Sequence, residues 1–280
     1  AECTTQADFE QLAASIIPTP KYQGDPFWVN SAKSLLAAIA FKMKEDKDRS
    51  IQKLLRVLFS SDLSLVKKYV SGTEAESLMS EEIQKTALSI KSVLANYIKP
   101  LRYLKDEKEA FSIRQWVREE SNSWLFITSI AQYHEAIKPL ISAWIDIAAN
   151  ELIGLTPSKD RRLWIILDEL SSLQKLPCLQ DALAEARKFG GCIVLGLQNV
   201  FQLHEHYGPD GAKAIMDLCN TKVFFRAPSY QCAEWVSKEI GMQEVIESRE
   251  GISYGAHHVR DGVSMQQQTS WKLMISATEL

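Results

Sequence analysis

The chain has 280 residues, of which 46% are hydrophobic and 24% are charged, and its net charge is −3 at pH 7. These values are ordinary for a globular protein with one large domain or two modest ones, and they exclude a chain that is basic throughout. Any contact with nucleic acid must therefore come from local patches or from surfaces that align in an oligomer.

The first part of the chain, residues 1–106, carries a helical pattern throughout. Apolar residues recur at three-and-four spacing in ADFEQLAASII, and the turn dipeptide of GDPFWVNSAKSLLAAIAFKMK precedes a long amphipathic run. Nothing in this part alternates with period two for long. The sequence predicts an all-α domain over residues 1–106, and the helical pattern of its first residues indicates that the chain begins within a helix.

The second part, residues 107–280, changes character. Short apolar runs rich in β-branched and aromatic residues occupy 124–130, 162–170, 191–199 and 222–228. Helical segments lie between or after them, at 133–155, 179–189, 211–220 and 230–240. Strands buried on both faces that alternate with helices predict a parallel α/β sheet. Residues 246–268 have the character of a loop.

No signal in the chain indicates export or a membrane span. The five cysteines are scattered without a CxxC pair, which argues for a reducing compartment and against a disulfide framework or a zinc site. No apolar stretch approaches the roughly 18 to 20 residues that cross a bilayer, and no signal peptide opens the chain. Because an initiator methionine is also missing, we expect the sequence to be a piece of a longer protein.

Polar residues follow three of the predicted strands, where functional groups gather in an open parallel sheet. Asp168 and Glu169 end the run LWIILDEL, Gln198 ends the next run, and Arg226 ends the last. Arg187 lies near a predicted helix end, before a glycine pair that stops the helix. Each residue alone is also consistent with a solvated strand or helix end, so their joint occurrence in this order carries the functional interpretation.

Nucleotide hydrolysis needs groups of these kinds. A strand-end aspartate such as Asp168 can hold Mg²⁺, which neutralises charge on the phosphates. A neighbouring glutamate, here Glu169, can orient and polarise the attacking water. Gln198 on the adjacent strand can sense the terminal phosphate, and an arginine can stabilise the transition state. We expect Arg226 to bind the nucleotide.

The segment LWIILDELSSLQKLPCLQDALAEARKFGGCIVLGLQN closely resembles the conjugative coupling proteins of the TraG/TraD family, in its TraD branch. The resemblance continues through NTKVFFRAPSYQCAEWVSKEIG, and the first part of the chain resembles the all-α domain of that family. It implies a RecA-like motor domain, an all-α domain inserted before it, ATP and Mg²⁺ as cofactors, and a DNA-dependent ATPase. Asp168 and Glu169 match the Walker B pair, Arg187 an arginine finger that reaches a neighbouring subunit, and Gln198 the motif III phosphate sensor.

The same resemblance implies partners and a location. Members of the family form hexamers at the cytoplasmic face of the bacterial inner membrane, anchored by N-terminal transmembrane segments. They deliver relaxase-bound, single-stranded transfer DNA to a type IV secretion channel. The chain departs from the family pattern in one respect, because it contains no GxxxxGK[ST] phosphate loop. The family carries that loop upstream of the all-α domain, so we expect the sequence as it stands not to hydrolyse ATP alone.

One basic stretch and two histidines are open to more than one interpretation. Residues 96–111 interleave Lys99, Arg102, Lys105 and Lys108 with two tyrosines, which is typical of a single-strand contact surface. Three acidic residues among them favour a solvated interdomain helix instead. His257 and His258 lie in the predicted loop, and we expect no metal role for them.

Two functions therefore stay open from the sequence. The first is the cytoplasmic part of an ATP-driven DNA translocase. The second is a non-enzymatic docking module with a degenerate nucleotide-binding fold that recruits substrate complexes to a secretion channel. An intact phosphate loop upstream of this sequence would favour the first function, and its absence would favour the second.

Overall fold

The structure, a computed structural model, describes residues 2–18, 25–60, 62–80, 83–106, 111–253 and 262–280, with only the backbone at 252, 253 and 262–264. The chain forms two compact units. The first comprises Ala1–Leu197 and Phe201–Cys219, and the second comprises Gln198–Val200 and Asn220–Leu280. No helix of the described residues is long and apolar enough to cross a membrane.

Helices make up the amino-terminal region of the first unit, as predicted. They are α1 (Gln6–Ile16), α2 (Pro26–Met43), α3 (Ile51–Phe59), α4 (Leu63–Val70) and α5 (Gln84–Tyr97), with 3₁₀ helices at Glu74–Met79 and Lys99–Tyr103. The described residues of 1–106 contain no strand. The boundary of a separate all-α domain at residue 106 stays a prediction.

Side-chain caps set where these helices begin. The Thr5 hydroxyl accepts from the backbone N–H of Asp8 at 3.2 Å, and the Asp8 carboxylate accepts from the backbone N–H of Thr5 at 2.8 Å. This reciprocal capping box starts α1 at Gln6. The expectation that the chain begins within a helix is therefore wrong, because the helical pattern extended into residues that form the cap.

The helical region has a continuous core. It gathers fully buried side chains from α2 and α5 together with two residues of a later helix, α7 (His134–Ile153). Burying one such aliphatic side chain stabilises a fold by about 1.5 to 3 kcal/mol relative to exposing it. Members of this core include Leu35, Ile39, Ile90, Leu94, Ile98, Leu140 and Ala143.

The rest of the first unit contains a parallel strand pair. Its further elements are α6 (Ile113–Arg118), β1 (Leu163–Leu167), α8 (Leu179–Glu185), β2 (Gly191–Leu195) and α9 (Val200–Leu218). Strands β1 and β2 pair in parallel from Leu163↔Gly191 to Leu167↔Leu195, with α8 between them in the chain. This βαβ unit confirms the predicted parallel α/β character. Helix α9 begins before the predicted residue 211 and bends at Gly208, whose φ is 82°.

Two of the predicted strands are absent. Residues 124–130 and 222–228 have strand-like composition, but neither segment forms a ladder with any described residue. A strand needs a neighbour that accepts its backbone hydrogen bonds, and composition alone does not supply one. In the first of these segments the exposed rings of Trp124 and Phe126 stack, with centroids 6.0 Å apart.

Strand β1 is also less enclosed than predicted. Leu163 and Ile165 are partly buried and Leu167 is buried, whereas Trp164 and Ile166 on the other face are more than half exposed. Successive side chains of a strand point to opposite faces, so the described residues leave one face of β1 open. The expectation of strands buried on both faces is wrong for β1, since the described residues cover a single face.

The second unit contains α10 (Tyr230–Ile240), as predicted, and a hairpin that was not predicted. Strands β3 (Met242–Ser253) and β4 (Gly262–Leu273) pair antiparallel from Met242↔Leu273 to Ser253↔Gly262. The interpretation of 246–268 as a loop is therefore wrong for residues 246–253 and 262–268, and residues 254–261 lie outside the described part of the chain. Glutamine, serine and charged residues dominate both strands and hide the period-two pattern of their apolar residues. His257 and His258 lie outside the described residues.

The register places five large apolar side chains of the hairpin on one face, whereas Val245 points to the other. Directly paired residues of antiparallel strands point to the same side, and so do residues two apart along a strand. The pairs Met242↔Leu273, Glu244↔Trp271, Ile246↔Thr269 and Glu250↔Met265 therefore share a face. Among the side chains that the structure describes on this face, those of Met242, Ile246, Met265, Trp271 and Leu273 are exposed.

Candidate functional site

The predicted acidic pair, Asp168 and Glu169, lies directly beyond the carboxyl end of β1. Leu167 before the pair and Leu170 after it are both buried, and they anchor the backbone on either side. Asp168 is exposed and Glu169 is half-buried. A 3₁₀ helix, Leu170–Ser172, follows immediately and turns the chain away from the strand. The local sequence therefore presents two carboxylates at a fixed point of the surface.

Gly196 closes the turn that carries the acidic pair. Its backbone N–H donates to the carbonyl oxygen of Leu167 at 2.7 Å, and its carbonyl accepts from the N–H of Leu170 at 3.0 Å. A Cβ atom at this position would lie 1.9 Å from the carbonyl oxygen of Asp168, closer than any side chain can approach. Only glycine fits there, so the residue after β2 fixes the backbone of the acidic pair on β1.

Two serines contact Glu169, and a glutamine contacts one of these serines. The Ser171 hydroxyl contacts the Oε1 atom of Glu169 and also lies 3.0 Å from the Oε1 atom of Gln202 on α9. The Ser172 hydroxyl donates to the backbone carbonyl of Glu169 at 2.7 Å. The sequence analysis missed all three residues. Two serines directly after an acidic pair are a weak turn signal, and nothing in the sequence indicates the contact with Gln202.

A histidine at the start of α7 stabilises the turn that follows Glu169. His134 Nε2 lies 3.0 Å from the carbonyl oxygen of Ser172, and Nδ1 lies 2.7 Å from the hydroxyl of Ser129. Because a carbonyl only accepts, Nε2 donates its proton to Ser172, and Nδ1 of the neutral ring accepts from Ser129. The ring thereby ties α7 to the turn that follows Glu169.

Arg187 lies in the 3₁₀ helix Ala186–Phe189, which continues α8. Its side chain is exposed and makes no hydrogen bond or ion pair with another described residue. Gly190 ends the helix in the left-handed conformation with φ at 82°, as the predicted glycine stop requires. Arg187 is therefore held at a helix end with its guanidinium group unengaged within the described part of the chain.

An ion pair supports this helix end. Arg161 donates from Nη1 to the carbonyl oxygen of Phe189 at 3.1 Å and from Nε to the Glu120 carboxylate at 2.9 Å. The Cβ of a residue replacing Gly190 would come within 2.5 Å of the Arg161 carbonyl oxygen. The sequence analysis missed Arg161 and Glu120, because the contact joins residues that are 41 positions apart.

The remaining predicted site residues belong to the second unit. Gln198 and Arg226 are both exposed. Arg226 follows Phe224, whose ring meets that of Trp235 edge to face with centroids 5.8 Å apart. The structure thus places Asp168, Glu169 and Arg187 in the first unit and the other two in the second. The grouping of all five residues in one site stays a prediction.

The acidic pair is suited to a hard cation whose other ligands are water molecules and phosphate oxygens. The described residues contain no group of three or more His, Cys, Asp or Glu side chains that could hold a metal ion. Mg²⁺ in nucleotide sites keeps several waters and needs only one or two carboxylates beside phosphate oxygens. The exposed Asp168 carboxylate offers such a ligand, and Glu169 beside it leaves a second carboxylate for proton transfer.

A buried carboxyl group joins the helical region to the segment before α8. Asp146 on α7 accepts from the Ser15 hydroxyl at 2.6 Å and lies 2.6 Å from the Cys178 thiol. Burial raises the pKa of Asp146, although the hydrogen bonds from Cys178 and Ser15 act in the opposite direction. Burial also raises the pKa of the Cys178 thiol, and the nearby Asp146 adds to this effect. We assign the cluster a structural role.

The basic stretch at 96–111 lies mostly against the helical region. The Arg102 guanidinium sits 4.3 Å above the centre of the Phe59 ring, and the Asp106 carboxylate accepts from the N–H of Ile51 at 2.7 Å. Lys99 and Lys105 are exposed. The described residues of this segment include the end of α5 and the 3₁₀ helix Lys99–Tyr103, and the interdomain helix stays a prediction. Lys108 lies outside the described residues, and a single-strand contact here stays a prediction.

Comparison with known proteins identifies relatives over the full chain. A family model for the type IV secretion-system coupling protein DNA-binding domain matches residues 1–280. The chain is 41% identical to the coupling protein TraD of Escherichia coli (strain K12) over 286 aligned residues, covering 100% of the chain and 40% of that protein. It is 26% identical to a conjugal transfer protein TraG of Escherichia coli, covering 64% of the chain and 30% of that protein. The chain spans less than half the length of either relative.

Solved structures of the coupling protein TrwB share the fold. The unbound monoclinic form matches with a TM-score of 0.82 and 28% identity, over 99% of this chain and 63% of that chain. TrwB in complex with ADP and Mg²⁺ matches with a TM-score of 0.80 and 27% identity over the same shares. TrwB in complex with the ATP analogue ADPNP gives a TM-score of 0.81. These matches confirm the predicted α/β fold with parallel strands.

Proposed function

We propose, from the premise that the chain belongs to the family of type IV secretion-system coupling proteins, that it forms part of an ATP-driven DNA translocase. In the full-length protein it would lie at the cytoplasmic face of the bacterial inner membrane. Six copies would form a ring that passes single-stranded transfer DNA, delivered by a relaxase, into a type IV secretion channel. The all-α region would face the cytoplasmic entrance and receive the relaxase-bound DNA.

The chemistry would be carried by the acidic pair. TrwB binds ADP with Mg²⁺ and also ADPNP, which supports ATP and Mg²⁺ as the ligands of this chain. Asp168 would hold the metal ion, which when bound neutralises charge on the phosphates. Glu169 would accept a proton from the attacking water. Gln198 would contact the terminal phosphate.

Two arginines would complete the site. Arg187 is exposed and unengaged within the described residues, so it is available to a nucleotide bound by a neighbouring subunit. Arg226 would contact the nucleotide from the second unit. Because the sequence has no phosphate loop, the loop would come from a segment upstream, and these 280 residues alone would not hydrolyse ATP.

One observation carries the proposal more than any other. Gly196 brings its backbone so close to Asp168 that no side chain fits, and it hydrogen-bonds the chain on both sides of the acidic pair. A strand tip that merely reaches water needs no such constraint. A pair of carboxylates fixed in this way is preorganised for a ligand, which is what catalysis of phosphoryl transfer requires.

The test is Glu169→Gln in the full-length protein. The substitution keeps the size of the side chain and removes the proton acceptor, so ATP binding should persist while turnover falls by about 10² to 10⁴. Fluorescent-nucleotide binding and phosphate release measure the two quantities. Glu135→Gln is the matched control, because Glu135 is exposed on α7 and should tolerate the change. Near-normal turnover by Glu169→Gln would mean that the acidic pair is only a solvated strand end with no catalytic role.

The competing docking function makes a different prediction. A degenerate fold would bind secretion partners without hydrolysing ATP, and substitution of Glu169 would leave recruitment and transfer unchanged. The sequence upstream of Ala1 in the gene discriminates between the two functions at little effort, since an intact phosphate loop there supports the motor.

A further inference from the structure

A short segment without helix or strand, residues 173–178, connects the acidic pair to α8, and we call it the strap. It directly follows the turn after Glu169, and α8 continues into the 3₁₀ helix that carries Arg187. Three of its side chains are buried, namely those of Leu173, Leu176 and Cys178. A buried backbone that lies outside helices and strands needs hydrogen-bond partners from elsewhere in the fold.

Helices α7 and α9 supply partners for the second half of the strap. The N–H of Leu176 donates to the Tyr207 hydroxyl on α9 at 3.0 Å. The N–H of Cys178 donates to the Asp146 carboxylate on α7 at 3.3 Å, and its thiol lies 2.6 Å from the same oxygen atom. These contacts fix the strap next to the first residue of α8.

The helical region reaches the strap through Ser15, in the last turn of α1. The carbonyl oxygen of Ser15 accepts from Nε2 of Gln174, at a helix end where carbonyl groups have no partner within the helix. Its hydroxyl lies 2.6 Å from the Asp146 carboxylate and 3.0 Å from the carbonyl oxygen of Gln11 in its own helix. Ser15 and Asp146 are both buried, so water does not compete for their contact. Ser15 thus meets the first half of the strap directly and the second half through Asp146.

We propose that Ser15 is a positioning residue that couples the helical region to the nucleotide site through the strap. A displacement of α1 moves the strap, and the strap leads to Glu169 on one side and to the helix of Arg187 on the other. The Asp146 cluster thereby has a role beyond its structural one. The inference rests on the proposed function, in which the helical region receives DNA and the acidic pair hydrolyses ATP, and it adds a route from the first to the second.

ATP turnover of the full-length protein, measured with and without single-stranded DNA, tests the coupling. Ser15→Ala removes the hydroxyl contact with Asp146, so stimulation by DNA should fall about three- to tenfold while DNA-free kcat and nucleotide binding stay within about twofold. Gln174→Met removes the contact with the Ser15 carbonyl and should give the same result. Tyr207→Phe frees the strap from α9 but keeps both contacts with α1, so stimulation by DNA should persist.

Labelling of Cys178 by iodoacetamide, followed by peptide mass spectrometry, reports opening of the strap independently of ATP. Because Cys178 is buried, its thiol reacts only when the strap opens. Ser15→Ala and Tyr207→Phe each remove a buried hydrogen bond, so each should raise the labelling rate of Cys178 about five- to thirtyfold. Cys232, which is buried in the second unit, is the internal reference and should keep its rate.

Ser89→Ala is the matched control for the loss of a hydroxyl from a helix. Ser89 is an exposed residue of α5, and its hydroxyl donates to the carbonyl oxygen of Lys85 four residues earlier at 3.1 Å, the type of contact that Ser15 makes with Gln11. The substitution should change neither the labelling of Cys178 nor stimulation by DNA.

Three results would overturn the inference. If Ser15→Ala and Tyr207→Phe lower stimulation by DNA equally, looseness of the strap sets turnover and contact with α1 has no special role. If Ser15→Ala leaves stimulation unchanged although labelling of Cys178 rises, the strap carries no coupling. If labelling of Cys178 does not rise, Ser15 does not hold the strap. Retained turnover in Glu169→Gln is a different failure, because it removes the proposed function of the acidic pair and the coupling with it.

Discussion

The helical region and the α/β region of the chain differ in how completely they bury their apolar side chains. Helices α2 and α5 supply a core whose central residues are fully buried. The large apolar residues of this region that reach the surface are mostly less than half exposed. The α/β region instead leaves Trp124, Phe126 and Phe225 exposed, the last by 85%. Strand β1 has one face that no described residue covers fully.

This difference separates what the chain can stabilise alone from what needs further protein. A helix satisfies its own backbone hydrogen bonds and needs only one covered stripe. A parallel strand needs a neighbouring strand to pair with its backbone and layers that cover both of its faces. The helical region meets its requirement within the chain, whereas the α/β region presents apolar surfaces that further protein would cover. The three predictions below test this contrast in order of decreasing effect.

The largest effect is expected at Arg187, where the α/β region would need another subunit. Arg187→Ala in the full-length protein should leave the fold and ATP binding intact and lower turnover by about 10³ to 10⁵, the range of arginine fingers supplied from outside a site. A surface charge at a helix end contributes only about 0.3 to 1 kcal/mol. Steady-state phosphate release measures the difference.

A mixing experiment shows whether Arg187 acts between subunits. An Arg187→Ala subunit with an intact phosphate loop is combined with a subunit whose loop is inactivated but whose Arg187 is present. Recovered activity supports action across an interface. Mixed rings that form but stay inactive, or a fully active single variant, would remove the assignment. Lys188→Ala is the neighbouring control, because Lys188 pairs with Glu185 at 3.5 Å within its own helix.

The second prediction compares one residue type in the two regions. Ile90 on α5 is 0% exposed and Ile166 on β1 is 55% exposed. Ile90→Ala should lower the free energy of unfolding by about 2 to 5 kcal/mol, because it leaves a cavity in a closed core. Ile166→Ala should cost about 1 kcal/mol or less in the same chain. Urea denaturation measures both.

Assembly should reverse part of this contrast. If the open face of β1 is covered in the full-length protein, Ile166→Ala should cost more there than in the present chain, while the cost of Ile90→Ala stays the same. Equal costs of Ile166→Ala in both proteins would mean that the face of β1 is open in each.

The smallest effect concerns Asp146, where the two regions meet. Its folded-state pKa is raised by burial above the ordinary value of 3.8, so the folded protein holds the proton more tightly than the unfolded chain does. The stability that this proton contributes is present below the ordinary pKa and is lost as the pH rises through the raised pKa. The unfolding free energy of the natural chain should therefore fall relative to Asp146→Asn as the pH rises above the ordinary pKa of 3.8.

Asp8 provides a control of opposite sign. Burial alone would raise the pKa of Asp8, but hydrogen bonds from the Thr5 and Thr4 backbone and the Arg114 charge lower it overall. The stability contributed by Asp8 is present above the ordinary pKa and is lost as the pH falls, so Asp8→Asn should show the reverse trend in the difference from the natural chain. Parallel trends for the two variants would contradict the assigned environments.

Local signals made part of this structure predictable. The α10 helix matches its predicted bounds, because Ser229 caps it and Gly241 ends it. Strands β1 and β2 have the composition of buried strands, and the acidic pair and Arg187 follow from their positions in the chain. Residues 124–130 have an equally strand-like composition but lack a partner, which no local pattern reveals.

The supporting contacts of the site were not predictable, because they depend on tertiary structure. The contact between Ser171 and Gln202 joins residues 31 positions apart, and that between Arg161 and Glu120 joins residues 41 positions apart. The hairpin of the second unit was missed for a different reason. Its polar residues resemble a loop in composition, and they hide the alternation of the apolar residues along its strands.

The parallel pairing of β1 with β2 has a consequence for the order of folding. Leu163 and Gly191 meet across 28 positions of chain, whereas the inner pair of the hairpin, Ser253 and Gly262, is only 9 positions apart. Closing the longer loop costs about 1 kcal/mol more in chain entropy and must await the helix between the strands. During synthesis from the amino terminus, the turn that carries Asp168 cannot be closed until Gly196 has emerged. The acidic pair is thus synthesised before the glycine that fixes its backbone, and it reaches its final position only after that glycine has been added.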